Sequence, residues 1–226
     1  MKLLNSYVSP FAARARLAIY AYDLPVEIAP SGQWLPNYQK SPEYLAINPI
    51  GRVPTLVLDD GSAFPESSVI VEYLADAFPG TGLRPTDAQA AGRARLAAYL
   101  VETYVQMQAG PLFGQFFAEQ RDRRRIEACV AAMDEGISHL EHFMGDDGLA
   151  IGREITIADC ALVPFLFFFA DRMVATFDMA PIIDKRPKVA VYWSRIQAEP
   201  VAEKVLNEMR TAIAKSPLRK LLSPSA

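Results

Sequence analysis

The nine residues Pro79 to Asp87, PGTGLRPTD, separate two stretches of the chain with different periodicities. Gly and Pro interrupt helices and strands alike, and the segment carries little bulky apolar surface, so it reads as a connection between domains. Upstream of it, strand-like and helix-like runs alternate; downstream, every periodic run has helical spacing. The chain is expected to fold as an α/β domain over residues 1–79, a linker over 80–87 and an all-helical domain over 88–226.

In the first part, Met1 to Tyr7 reads as a short strand and Phe11 to Tyr22 as a helix. That helix has Phe11, Ala15, Ala18, Ile19 and Tyr22 on its apolar face, with Arg14 and Arg16 off it. VEIAP is a second strand, and the stretch from Ser31 to Gly51 carries Pro36, Pro42 and Pro49 with little regular period, as an irregular, exposed connection with short helical turns does. Val53 to Leu58, an Asp-Asp-Gly turn and a short return run form a β-hairpin. A helix follows from Glu66, with Val69, Ile70, Tyr73 and Leu74 at helical spacing. The order is βαβ, then ββα.

In the second part, Ala88 to Glu119 sustains a stripe through Leu96, Leu100, Tyr104 and Met107, with a kink or break expected at Gly110-Pro111. Helices are also expected at Arg123–Met144, Thr156–Thr176, Lys188–Ala198 and Val201–Lys215, with a frayed tail SPLRKLLSPSA. Thr156 and Asp159 stand at the spacing of a capping box, a structural device.

A net charge of −3 on 226 residues provides no basic field for a phosphate backbone or an anionic membrane, so nucleic-acid partners are not expected. The run Arg121 to Arg125 is broken by Asp122 and reads as a solvated helix start. The N-terminus has no signal-peptide core, and CALVPFLFFFA is too short to cross a bilayer and lies between Asp159 and Asp171. Two Cys and two His without ligand spacing make no metal site, and Cys129 and Cys160 are expected as buried thiols of a cytoplasmic protein.

Three short motifs carry a resemblance: SPF at Ser9, the segment NPIGRVPTLVLDDGSAFPES containing Val53-Pro54 and Glu66-Ser67, and TIAD at Thr156 to Asp159. In this order and spacing, over nearly the whole chain, the sequence resembles the cytosolic glutathione transferases of serine type. The resemblance implies a thioredoxin-like domain followed by a helical bundle. It also implies glutathione as co-substrate without a metal, a small hydrophobic electrophile as second substrate, a detoxification role and a homodimer in which one subunit's first domain packs on the other's helices.

A free thiol, pKa about 8.5, is only about 3% thiolate at pH 7; lowering the pKa to about 6.5 makes it roughly three quarters thiolate. That shift is about 2.7 kcal/mol, which a helix N-terminus and a hydroxyl hydrogen bond can share. Taken alone, Ser9-Pro10 is a helix cap. The resemblance makes Ser9 the thiol-activating hydroxyl, with Tyr7 its rival because some classes use a Tyr near the end of this strand. Related CPF proteins carry Cys at that place; Ser cannot form a mixed disulfide, so thiol-disulfide activity is not expected. A related isomerase class carries Ser-Ser-Cys where this chain has YVSPF.

By the same resemblance, Val53-Pro54 has a cis bond that leaves the Val53 backbone able to pair with an extended peptide. Glu66 and Ser67, opening a helix, hold the γ-glutamyl end, and Arg52 and Lys40 meet the glycyl carboxylate. Gln39 and Trp34 are placed along the same edge. The electrophile is expected between the domains, against Phe11, Tyr104, Met107 and Phe113, with Phe117 and Phe165 nearby. Aromatic and Met residues at helical spacing also make ordinary core, so these names identify no substrate. A non-catalytic glutathione-dependent carrier or interaction module on the same fold is the alternative.

Overall fold

A computed structural model describes residues 1–30, 38–145 and 148–222. The first part is a four-stranded sheet in the order β2-β1-β3-β4. Strand β1 (Lys2–Asn5) runs parallel to β2 (Glu27–Pro30) and antiparallel to β3 (Thr55–Val57), which pairs antiparallel with β4 (Ala63–Pro65). The β3–β4 turn closes as the Asp-Asp-Gly signal demands: Gly61 has φ +86°, and Asp60 Oδ1 accepts from the Ser62 N–H at 2.9 Å.

Helix α1 (Pro10–Ala21) links β1 to β2, α2 (Pro42–Ile47) precedes β3, and α3 (Ser67–Ala77) follows β4. Ser41 caps α2 by accepting the Tyr44 N–H, with Pro42 in the first turn where its missing N–H is harmless. Val69, expected on the inner face of α3, is 48% exposed, while Ile70 and Leu74 are buried. The connection that follows is tied down: Leu83 is fully buried and its carbonyl accepts from the Ile157 N–H at 2.9 Å.

The second part is helical. Helix α4 (Ala88–Leu100) continues through a π-helical segment, Val101–Gln106, into α5 (Met107–Phe117). The helix passes through Pro111, where a break was expected, and its irregularity lies one turn earlier. Helices α6 (Arg123–Phe143), α7 (Ile157–Phe165, extended by a π-helical segment Leu166–Met173), α8 (Pro187–Gln197) and α9 (Pro200–Ala214) complete the bundle. Thr156 and Asp159 close the capping box of α7. The expected frayed tail is instead a 3-10 helix over Pro217–Leu222, with 223–226 outside the described residues.

The buried side of α4 and α5 differs from the expected stripe. It passes through Ala94, Ala97, Ala98, Leu100, Val101, Val105, Ala109 and Leu112, so Leu100 of the expected stripe lies on it, while Tyr104 and Met107 are 43% and 63% exposed. Small alanines let α4 pack closely on α7, and a reading that weights large side chains misses such a face. At the next contact Gly136 of α6 sits so close to the Tyr104 carbonyl that a Cβ there would clash.

Helix α1 is enclosed by α3, α7 and α9, so Arg14 and Arg16 are buried although they lie off its apolar stripe. Arg14 pairs with Glu102 of the π-helical segment, and Arg16 Nε donates to Glu208 of α9 at 3.0 Å. Burial lowers the Arg14 pKa to about 10 against the opposing pull of nearby negative groups. Cys160 is fully buried, but Cys129 is only partly so; burial pushes both thiols up. Among the described residues no helix is long and apolar enough to cross a membrane.

Candidate active site

Where β1 and β4 end and β3 begins, a cleft of about 600 Å³ is walled by the start of α1, the segment Gln39 to Pro54 and the start of α3. It brings together Ser9, Phe11, Lys40, Arg52, Val53, Pro54, Glu66 and Ser67, residues from three separate sequence regions. Gln39 also lines it; Trp34 lies outside the described residues.

Ser9 is the N-cap of α1: its Oγ accepts from the Ala12 N–H at 3.2 Å. A hydroxyl has two acceptor lone pairs and one hydrogen, so this cap leaves the O–H free to donate into the cleft. Capping and stabilising an anion are therefore compatible uses of one side chain. Pro10 adds no N–H, and the remaining amides of the first turn bring the positive end of the helix to the same place.

The opposite wall is held by a buried polar network. Asn48, 1% exposed, donates from Nδ2 to the Arg52 carbonyl and Thr55 Oγ1, both at 2.9 Å, and accepts the Ile50 N–H at 3.0 Å. The fully buried Tyr44 donates to the same Arg52 carbonyl at 2.6 Å and lies 2.9 Å from Thr55 Oγ1; burial raises its pKa. The Arg52 carbonyl, clamped twice, fixes the chain directly before the Val53-Pro54 bond, which is cis. Gly51 is required here for two reasons: its φ is +64°, and a Cβ would stand 2.8 Å from both the Gln39 carbonyl oxygen and Lys40 Nζ.

At the third wall, Glu66 has φ +66° and ψ 115°, a conformation non-Gly residues seldom adopt and one that costs on the order of 1–3 kcal/mol. It precedes α3 without capping it by its side chain, which leaves the first-turn amides of α3 at the cleft with Ser67 at 5% exposure. The cleft thus holds two exposed cations, Lys40 and Arg52, one exposed carboxylate, Glu66, and two helix N-termini. Lys40 Nζ lies 3.5 Å from the Ile50 carbonyl.

Other expected site residues lie elsewhere. Tyr7 is in the turn between β1 and α1, its ring over the Arg16 guanidinium at 4.7 Å, and it does not line the cleft. Tyr104 packs edge-on against His139 of α6 at 5.4 Å and lines a different groove. Met107 and Phe113 stay on exposed faces of α5, Phe113 packed edge-on against Phe117 at 5.2 Å. Phe165 is buried beneath Phe11, their rings edge-on at 5.2 Å. From the helical part Gln106 reaches the cleft, at the end of the π-helical segment; nothing in its sequence neighbourhood singles it out.

Residues 3–82 match the family model "Glutathione S-transferase, N-terminal domain" and residues 120–192 match "Glutathione S-transferase, C-terminal domain". The maleylacetoacetate isomerase of Pseudomonas aeruginosa is 30% identical over 190 residues, covering 81% of this chain and 87% of that protein. The crystal structure of glutathione transferase F7 from Populus trichocarpa shares the fold, with a TM-score of 0.77 at 23% identity over 92% of this chain and 98% of that one. So does a glutathione transferase homolog from Sulfitobacter with bound glutathione, at a TM-score of 0.67 and 24% identity over 92% and 97%. The chain belongs to the glutathione S-transferase family.

Proposed function

We propose that this glutathione transferase is of the serine type and transfers the glutathione thiolate to small hydrophobic electrophiles. The observation that carries the reading is Ser9, whose hydroxyl lies in the cleft with its lone pair engaged by the α1 amide and its hydrogen available. Residues 1–79 supply the tripeptide site and residues 88–226 the electrophile side, joined by 80–87.

Glutathione carries two carboxylates and one ammonium; the cleft offers two cations, amide donors and one carboxylate, which is the complementary set. In this reading the first turn of α3 with Ser67 takes the γ-glutamyl carboxylate and Glu66 its ammonium. Val53 pairs with the peptide backbone, and Arg52 and Lys40 take the glycyl end. The sulfur then falls at Ser9. The Ser9 O–H and the α1 dipole stabilise the thiolate, whose lone pair forms the C–S bond while the leaving group departs with the bonding pair. Phe11 and Gln106 border the electrophile.

A homodimer belongs to the same reading: Val69 of α3, Tyr99 of α4 and Phe143 of α6 are 48, 58 and 48% exposed, apolar surface that a second copy can cover. Gel filtration with light scattering measures this directly.

The decisive experiment pairs glutathione titration calorimetry with turnover across aryl, benzyl and alkyl halides, for the unmodified protein and Ser9→Ala. Retained binding with lost turnover in Ser9→Ala is the expected result. Binding without turnover of any electrophile by the unmodified protein makes the chain a glutathione-dependent carrier instead.

A further inference from the structure

Between Glu102 and Glu119 the chain carries no charged residue, although this stretch includes the whole of the surface helix α5. Ala109, Leu112 and Phe116 form its buried side. A surface helix ordinarily turns charged residues to the other side, yet there α5 presents Met107, Phe113 and Phe117, all exposed. Gly110 and Gly114 lie among them, and neither has a heavy atom within 4 Å of where a Cβ would stand.

This apolar face begins at the glutathione cleft. From Gln106 onward the backbone is regular helix, with φ −65° and ψ −42° at that residue and φ −64° and ψ −36° at Met107. At about 100° per residue, Gln106, Gly110, Phe113 and Phe117 fall within roughly 60° of one another, with Met107 and Gly114 along one flank. Gln106 lines the cleft together with Ser9 and Phe11, so the face that starts there continues out of it. Phe113 and Phe117 stand about 10 and 16 Å farther along the axis. Their rings are held by each other, edge-on at 5.2 Å, and by the buried Phe116, which is edge-on to Phe117 at 4.9 Å and stacked with Phe113 at 6.5 Å. The result is a track one helix wide, notched by two glycines and ended by two rings.

We infer that this track holds the apolar tail of the electrophile, so that the second substrate is a long-chain compound with its reactive carbon at one end, such as a primary alkyl halide. The inference rests on the glutathione site proposed above. The thiolate at Ser9 forms the C–S bond at the terminal carbon, the halide departs with the bonding pair, and the chain runs past Gln106 over Gly110 to the rings. An extended carbon chain advances about 1.2 Å per bond, since three bonds of extended peptide span about 3.6 Å; an octyl chain therefore covers the ~10 Å from Gln106 to Phe113. A second copy of the protein fits the face less well, because a stable interface buries about 800 Å² per partner and three exposed side chains supply far less. A methylene buried on all sides contributes roughly fourfold in affinity; one lying on a helix with water above it gains about twofold.

The test is titration calorimetry of the intact protein with S-methyl-, S-butyl- and S-octylglutathione, products of the proposed transfer. Affinity is expected to rise about sixteenfold from S-butyl- to S-octylglutathione, about twofold for each added methylene, and kcat/KM to rise in proportion from 1-iodobutane to 1-iodooctane. Gly110→Glu puts a charged side chain on the track; it is expected to remove most of that gain while S-methylglutathione binds as before and the melting temperature does not fall, glycine being the poorer helix former. Phe113→Ser/Phe117→Ser is expected to weaken S-octylglutathione by about fourfold, the share of the last methylenes, and to spare S-methylglutathione. Failure of S-methylglutathione to bind overturns the glutathione site and this inference with it. Where it binds, equal affinity along the series, a gain that persists in both variants, or iodoalkanes turned over equally or not at all overturns this inference alone. So does a change of oligomeric mass in the double variant, by light scattering, with the gain intact, which assigns the face to a second copy.

Discussion

Replacing Ser9 separates the two uses of its hydroxyl. Ala removes both the acceptor that caps α1 and the donor offered to the sulfur. Gly removes the same hydroxyl, yet as an N-cap it costs only a few tenths of a kcal/mol, whereas Ala costs about 1. For a chain of this length 1 kcal/mol is about 2–4 °C in melting temperature, so Ser9→Ala melts measurably lower and Ser9→Gly almost unchanged. The thiolate behaves differently. A hydrogen bond to a charged acceptor contributes about 1.5–3 kcal/mol, equivalent to roughly 1–2 pKa units on the bound thiol. From a starting value near 6.5, its loss lowers the thiolate fraction at pH 6.5 by roughly 7- to 80-fold, equally for Ala and Gly. The sign follows: the hydroxyl depresses the thiol pKa, so its loss moves the rise of kcat/KM to higher pH and the variants recover in alkali. The assay is ultraviolet absorbance of the thiolate on the protein across pH, run beside kcat/KM profiles. An unchanged bound-thiol pKa in both variants refutes the role of Ser9, and so does an activity loss that follows stability. Tyr7→Phe is expected to leave the profile in place, because Tyr7 lies over Arg16 and outside the cleft.

Further outcomes follow from other parts of the molecule. Asn48→Ala strips one of two donors from the Arg52 carbonyl and leaves the Ile50 N–H without its acceptor; a loss of about 2–3 kcal/mol in stability and a raised KM for glutathione are expected, with kcat changing less, measurable by denaturant titration and steady-state kinetics. Gly→Ala inside helices should have opposite signs at two positions. At Gly92 no heavy atom lies within 4 Å of where the added methyl would sit, and the helix gains about 0.5–1 kcal/mol; at Gly136 the methyl meets the Tyr104 backbone and costs on the order of 1–3 kcal/mol, as paired thermal melts would show. Alkylation of the partly exposed Cys129 is expected to leave turnover intact, since neither Cys lines the cleft; inactivation by iodoacetamide would restore a thiol mechanism.

The fold was legible because its punctuation is local. Ser9-Pro10, Asp-Asp-Gly and Thr156-x-x-Asp159 each specify an end or a turn through atoms within four residues, and the caps and turn form there. What failed was the choice of faces. Arg14 and Arg16 look like solvent-facing residues of α1 until Glu102 and Glu208 arrive from 88 and 192 residues away to pair with them. Ala94, Ala97 and Ala98 look like filler until α7 packs against them. In both cases the deciding partner lies far along the chain, and no periodicity encodes it.

The site divides along the same line. Ser9, Val53-Pro54 and Glu66-Ser67 could be named because the family resemblance singles them out, and each also carries a local irregularity: a cap, a proline, a helix start. Asn48 and Tyr44 hold the wall of the cleft more firmly than any of these, yet an Asn before Pro49 reads as a turn residue and a Tyr in a six-residue helix as ordinary core. Their role exists only once the α2 turn folds over the Arg52 carbonyl. Gln106 is the extreme case, a polar residue brought to the cleft by a π-helical segment that no spacing rule anticipates. Groups that offer themselves to a ligand interrupt regular structure and leave a local trace. Groups that hold the backbone in place are satisfied within the protein, and a satisfied side chain leaves none.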